Sequence, residues 1–134
     1  FALYDTNVNN VRKAGAAVNK SQIELMAAER LLKRQLLLQV QKRAAAFTQV
    51  RIINAELIPE AKQTEAIALQ RLEQGIANYL DVYAAQSVVA SFSAQLITEL
   101  QQFHLAQSEI NRLTAHYDDA KAVTATIELE IQDE

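Results

Sequence analysis

The chain has no cysteine and no tryptophan, and only one proline and two glycines among its 134 residues. Each shortage excludes something. Without cysteine there is no disulfide scaffold and no thiolate to act as nucleophile or metal ligand. A sandwich or barrel of short strands needs turn residues every few positions, and three breakers cannot supply them. Aromatics make up 6% of the residues while apolar residues make up 50%, so the hydrophobic mass is aliphatic. A disordered tail would be poorer in Leu, Ile and Val. What is left is an all-α chain of very long helices with room for one hairpin. The length by itself fits one domain. No stretch of about 18 uninterrupted apolar residues is present to span a membrane, and no signal-peptide pattern appears. The first residue is Phe rather than Met, so the chain is expected to be a piece of a longer one.

The net charge of −3 gives no general pull towards nucleic acid, and its distribution says more than the sum. Through Gly75 there are 11 basic residues and 7 acids, or +4; after it there are 2 basic residues and 9 acids, or −7. A basic helix beside an acidic one attracts it along its length, although exposed pairs are individually weak.

The pattern along the chain predicts two helices and a tail. Asp5 or Thr6 is a natural N-cap after the short apolar segment 1–4. From there to Gln74 no strong stop occurs. Val11, Val18, Leu25 and Leu32 recur every seven residues, and Leu36, Val40, Phe47, Val50, Leu57, Ala61, Ala68 and Leu72 continue in threes and fours. A helix over about 5–74 would be about 105 Å long at 1.5 Å per residue. Such a length with a seven-residue repeat predicts a left-handed coiled coil. Pro59 removes a backbone donor and crowds the carbonyl of Ala55. It predicts either a kink or a helix end, and apolar spacing that runs through it favours a continuous, bent helix.

Gly75 can take the left-handed conformation that closes a helix. Asn78 then caps the next one, with Asp81 three residues on as the capping-box acid. A tip over 75–78 is short enough to force an antiparallel hairpin. The return helix, about 79–116, carries one row of Val82, Val89, Leu96, Phe103, Ile110 and Tyr117. The other row is Ala85, Phe92, Glu99, Ala106 and Leu113, and only Glu99 breaks this seam. A small, uncharged stripe of Ala84, Ser91, Gln95, Thr98 and Gln102 lies beside it. Solvated faces usually carry Lys and Glu, so this stripe fits better against another helix or a water-filled lumen. In the tail, 117–134, Val123, Ala125, Ile127, Leu129 and Ile131 alternate with polar residues. That is a strand pattern over 123–131, needing a partner strand from elsewhere.

Chemistry is scarce. His104 and His116 are the only histidines; Asp119, three residues after His116, is the one carboxylate at helical spacing from either, and two ligands are too few, so no metal site is expected. No phosphate-cradling glycine loop or nucleophile elbow is present, and the scattered acids form no catalytic pair. No catalytic residue, cofactor or enzyme activity is expected. The basic cluster Lys33, Arg34, Lys42 and Arg43 reads as a solvated face rather than a nucleic-acid or lipid site.

The segment from Leu72 to Gln86, with Gly75 closing one helix and Asp81-Val82 opening the next, resembles the periplasmic hairpin tip of the TolC-like outer-membrane efflux proteins. Leu3-Tyr4-Asp5 looks like the end of a membrane strand running into the long helix. Leu57-Ile58-Pro59-Glu60-Ala61 resembles the proline-bearing segment of the heavy-metal-cation branch. Ile110-Asn111-Arg112-Leu113-Thr114 resembles the end of the return helix. The ordered set covers about residues 1–116. There are departures: Ala84 stands where the family often has a second acid, Ala115 where it often has Gly, and the tail has no counterpart.

The resemblance implies one repeat, most like the second, of a channel that assembles as a homotrimer. Its helices would build a periplasmic α-barrel, and parts of the parent chain not present here would cross the outer membrane. The tip residues Leu72, Gly75, Ile76 and Asn78 would dock a periplasmic adaptor protein, which links the channel to an inner-membrane pump. Asp81 would lie near the constriction, where copies of one carboxylate around a narrow axis repel each other and attract cations; as a capping acid alone it would need no such role. Pro59 would mark the helix bend. The rival reading is a coiled-coil interaction or scaffold hairpin, such as the adaptor protein itself, which would carry flanking β-rich segments.

Overall fold

The computed structural model describes residues 2–132. It is an all-helical hairpin: α1 (Ala2–Ile52), a π-helical turn (Ile53–Leu57), α2 (Ile58–Glu73) and α3 (Tyr79–Gln132). The first three run on without a break in helical backbone, since Ile52, Leu57 and Ile58 all keep right-handed helical torsions. This arm is about 108 Å long at the standard rise. Across the tip, α3 returns antiparallel along it. Arg43 donates to Gln107, and the rings of Phe47 and Phe103 lie 6.2 Å apart. In both pairs the residue numbers add to the same value, so residue n of the first arm lies level with about residue 150 − n of α3.

The seam on α3 follows the predicted rows. Val82, Ala85, Ala106 and Leu113 are buried, and Val89, Phe92, Leu96, Glu99, Phe103, Ile110 and Tyr117 are half-buried. The seam on the first arm departs from the expected row in two places: at its start Val11, Val18 and Leu25 are exposed, and in its middle it differs by one position. Gln39 and Ala46 turn inward where Val40 and Phe47 were expected, leaving Val40 and Phe47 exposed. A small residue is what the close approach of two helices demands, and four of the seven buried side chains are alanines: Ala46, Ala61, Ala85 and Ala106.

The π turn keeps that seam continuous beyond Pro59. Before it the inward residues are 32, 36, 39, 43, 46, 50 and 53; after it they are 57, 61, 65, 68 and 72. Strict alternation of threes and fours from Leu57 would give 60, 64, 67 and 71. One residue has been inserted, and the wide turn absorbs it. Ile58 donates its N–H to Ile53, five residues back. Pro59 sits in the first turn of α2, where its missing N–H costs least. The helix is therefore continuous at Pro59, the outcome the apolar spacing favours, with a π turn just before the proline.

Four expectations about the ends are corrected. Backbone helix begins at Ala2, so neither Asp5 nor Thr6 is an N-cap and Leu3-Tyr4-Asp5 is helix rather than strand. The return helix does not end near 116. The stretch 123–131 is helical, and α3 continues to Gln132. A helix bonds its own backbone, whereas the alternating pattern could be realised only beside a second strand, and no strand exists among the described residues. Phe1 and the last two residues of the tail lie outside the described residues.

Candidate functional site at the hairpin tip

The tip is built from two interlocking caps. The N–H of Ile76 donates to Arg71 O at 2.9 Å and that of Gly75 to Leu72 O at 2.9 Å. This is the paired bonding that closes a helix on a left-handed residue, and Gly75 supplies it with φ +73°. Nothing lies within 4 Å of where a Cβ on Gly75 would sit, so the glycine is required by its backbone and not by space. Ala77 also donates to Arg71 O, at 3.1 Å.

The next helix opens with a reciprocal box. Asp81 N–H donates to Asn78 Oδ1 at 3.1 Å, and Asn78 N–H donates to Asp81 Oδ2 at 3.0 Å. Two otherwise orphaned donors are satisfied by side chains three residues apart. The Asp81 carboxylate also sits in the first turn, where the helix dipole favours negative charge.

The caps turn a set of large apolar residues outward. Ile76 is 69% exposed, Tyr79 81%, Leu80 75% and Tyr83 69%. Val82 and Ala85 hold the seam below them. Of the residues picked from the sequence, Gly75, Ile76, Asn78 and Asp81 come together here. Leu72 does not join them on the surface: it is half-buried and turned into the seam. Tyr79, Leu80 and Tyr83 were missed, though a signal existed. They are large apolar residues that fall off both rows of an otherwise regular heptad. Pro59 lies well down the arm from the tip.

Charge elsewhere is handled locally. Lys20 faces Glu24 at 3.9 Å and Lys33 faces Glu29 at 2.8 Å. Arg112 Nε donates to both oxygens of Glu109 at 3.0–3.1 Å. The Lys33 ammonium lowers the Glu29 carboxyl below its ordinary range, and Glu29 raises Lys33 in turn. Arg112 lowers Glu109 in the same way. All three pairs lie within one helix. Among the described residues no ion pair joins the basic arm to the acidic one. Glu99, the one charge in the α3 seam, borders an open groove of about 530 Å³ shared with Lys42, Gln39, Gln49 and Gln102. The groove is open, so the acid keeps access to solvent within an apolar row.

The stripe Ala84, Ser91, Gln95, Thr98 and Gln102 is exposed throughout. His104 stands edge-on to Phe103, 5.5 Å between centroids. No group of three or more metal-ligating side chains occurs among the described residues, and none of their helices is long and apolar enough to cross a membrane. Compared with protein-family models, with curated proteins and with solved structures, the chain finds no match.

Proposed function

We propose that this hairpin is the periplasmic α-barrel element of a trimeric outer-membrane efflux channel, conducting substrate out of the cell and docking an adaptor protein at its tip. The observation that carries the reading is the tip itself: a rigid, doubly capped turn at the end of a long arm, presenting Ile76, Tyr79, Leu80 and Tyr83 to solvent. Large apolar side chains held in the open on a stiff support mark a surface for a protein partner. The uncharged stripe along α3 fits a wall facing water or another helix. The channel reading makes the hairpin a passive conduit and leaves the energy supply to a pump.

A photo-reactive residue at Tyr79 or Leu80 in the full-length channel, expressed in Gram-negative cells, tests the docking role. The expected result is a covalent adduct to the periplasmic adaptor and loss of export on Leu80→Asp. Export unaffected by Leu80→Asp, with no adduct from either position, overturns the reading.

The scaffold-hairpin alternative keeps the same tip but needs no lumen. The parent sequence separates the two: a second copy of the hairpin accompanies a channel, and flanking β-rich segments accompany an adaptor.

A further inference from the structure

Two rows of side chains compete for the inner side of α1 between Leu36 and Ile53. The row that faces α3 is Leu36, Gln39, Arg43, Ala46, Val50 and Ile53. The row one residue on contains Val40, 38% exposed, and Phe47, 56% exposed. In the middle of the segment the outer row is the more apolar, with Val40 against Gln39, Ala44 against Arg43 and Phe47 against Ala46. Beside the π turn the inner row is, with Ile53 against Asn54 and Val50 against Arg51. Each row therefore gains large apolar side chains that the other gives up, and the two gains are of the same order.

The π turn selects between the rows. An uninterrupted α-helix running back from Leu72 at 3.6 residues per turn would bring Asn54, Phe47 and Val40 inward. The extra residue in Ile53–Leu57 puts Ile53, Ala46 and Gln39 there instead. Such a turn can travel along a helix. Each step exchanges an i−5 backbone bond behind it for one ahead, with no net loss of bonds. A second seat for it exists in the sequence. Beside the present π turn the inward residues Ile53, Leu57, Ala61 and Glu65 are spaced by fours, and Leu32, Leu36 and Val40 repeat that spacing. With the turn over 36–40, each residue of the segment after it takes the place of the one before. Gln39, Ala46 and Gln49 line an open groove of about 530 Å³ between the arms, walled on α3 by Leu105 and Ala106. Val40, Phe47 and Val50 would take those three places, and the groove has room for a phenyl ring. Phe103 already lies 6.2 Å from the Phe47 ring. The cost falls at the other end, where Asn54 takes the buried place of Ile53. Ile53 itself moves to the half-buried place of Ile52.

We infer that the segment 40–53 has two registers against α3, exchanged when the π turn moves between Ile53–Leu57 and 36–40 while the tip and the far part of the arm stay in place. The exchange turns the segment by about 100° and slides it by about 1.5 Å. One register leaves Val40 and Phe47 on the outside. The other draws them into the groove and brings Gln39 and Ala46 out of the seam. A partner that touches the outer side of this segment thus meets an apolar surface in one register and a more polar one in the other. Differential binding to the two surfaces is what would bias the exchange. The inference does not depend on the channel role, because the same two rows exist in a scaffold hairpin.

Fluorine NMR of the 134-residue chain, with 4-fluorophenylalanine in place of Phe47, reads the register directly, and circular dichroism checks helix content. Saturation transfer and relaxation dispersion should reveal a minor signal of about 1–10% of the total. Its position should hardly change between H2O and D2O, whereas the major signal should shift. Ala46→Gln puts a polar side chain into the seam of the major register alone and should raise the minor population about tenfold. Gln39→Leu favours the major register and should lower it. Deleting Asn54 together with Pro59→Ala removes the inserted residue, leaves one register, and should abolish the minor signal with helix content retained. A single exposed signal in both the unaltered chain and the Ala46→Gln variant overturns the inference. So does a minor signal indifferent to Ala46→Gln and Gln39→Leu. A minor signal that survives the deletion also overturns it, and would assign the second state to a rotamer of the Phe47 side chain alone.

Discussion

At the residue scale the tip separates two duties that meet in Asp81. As a cap, Asp81 contributes an oxygen that accepts from the Asn78 N–H. As a proposed gate, it contributes a charge. Asp81→Asn keeps an oxygen in place and removes the charge, so the hairpin should lose only the charge's interaction with the helix dipole, a few tenths of a kcal/mol on an exposed helix end. Asn78→Ala removes the side chain that accepts from Asp81 N–H and should cost about 1 kcal/mol. Gly75→Ala forces a Cβ into a left-handed backbone and should cost about 1–2 kcal/mol even though the space around it is empty. Thermal unfolding of the three variants measures this ranking. A loss with Asp81→Asn larger than that with Asn78→Ala would refute the ranking and mean that the charge, not the oxygen, carries the cap. The tip was largely legible in the sequence because its signals are local: a left-handed glycine and a reciprocal box need only residues within six positions. Leu72 closed the apolar row and was also counted with the tip, and the structure places it in the seam.

At the element scale the π turn is the feature the sequence concealed. Pro59 announced a disturbance, but an inserted residue is visible only once the inward positions on both sides are known. The turn exists because the seam from 46 to 53 and the seam from 61 to 72 differ by one residue in phase. Deleting exposed Asn54 together with Pro59→Ala should therefore yield an uninterrupted α-helix with both halves of the seam still facing α3. Its unfolding free energy should stay within about 1 kcal/mol of the unaltered chain, since no buried contact is lost. Deleting exposed Gln41 instead rotates everything before it by about 100° against the seam and should cost several kcal/mol. Denaturant unfolding compares them, and equal losses would refute the register account. The α3 seam was readable because large aliphatic and aromatic side chains mark nearly every heptad position. The α1 seam was not, because Gln39, Arg43 and Ala46 occupy it while Val40 and Phe47, more hydrophobic, sit beside it. The tail was misread for a related reason. Alternation of β-branched and polar residues favours a strand only where another strand waits, and a helix needs no partner for its backbone.

At the scale of the whole molecule the hairpin lacks an interior of its own. Among the described residues seven side chains are buried, all apolar and four of them alanine, and Ile53 is the only large one fully enclosed. Burial of one large aliphatic side chain contributes about 1.5–3 kcal/mol, little against the backbone entropy of ordering two arms this long. Large apolar residues such as Val11, Ile23, Leu31, Ile97 and Leu105 are instead distributed over the outside. A shortage of turns thus leads to a shortage of core: with one hairpin bend, each helix can cover only one face of the other. The shape follows from that geometry rather than from any globular collapse, and it is measurable without knowing the partner. Small-angle scattering at low concentration should give a maximum dimension of about 105–110 Å, set by the uninterrupted arm through Glu73, with a cross-section of two helices. A maximum near half that value would mean that the arm folds back at Pro59 into a short bundle. That bundle would bury the aliphatic residues internally and remove the reason for a neighbour. A long, thin particle leaves those residues exposed and requires that their burial come from assembly.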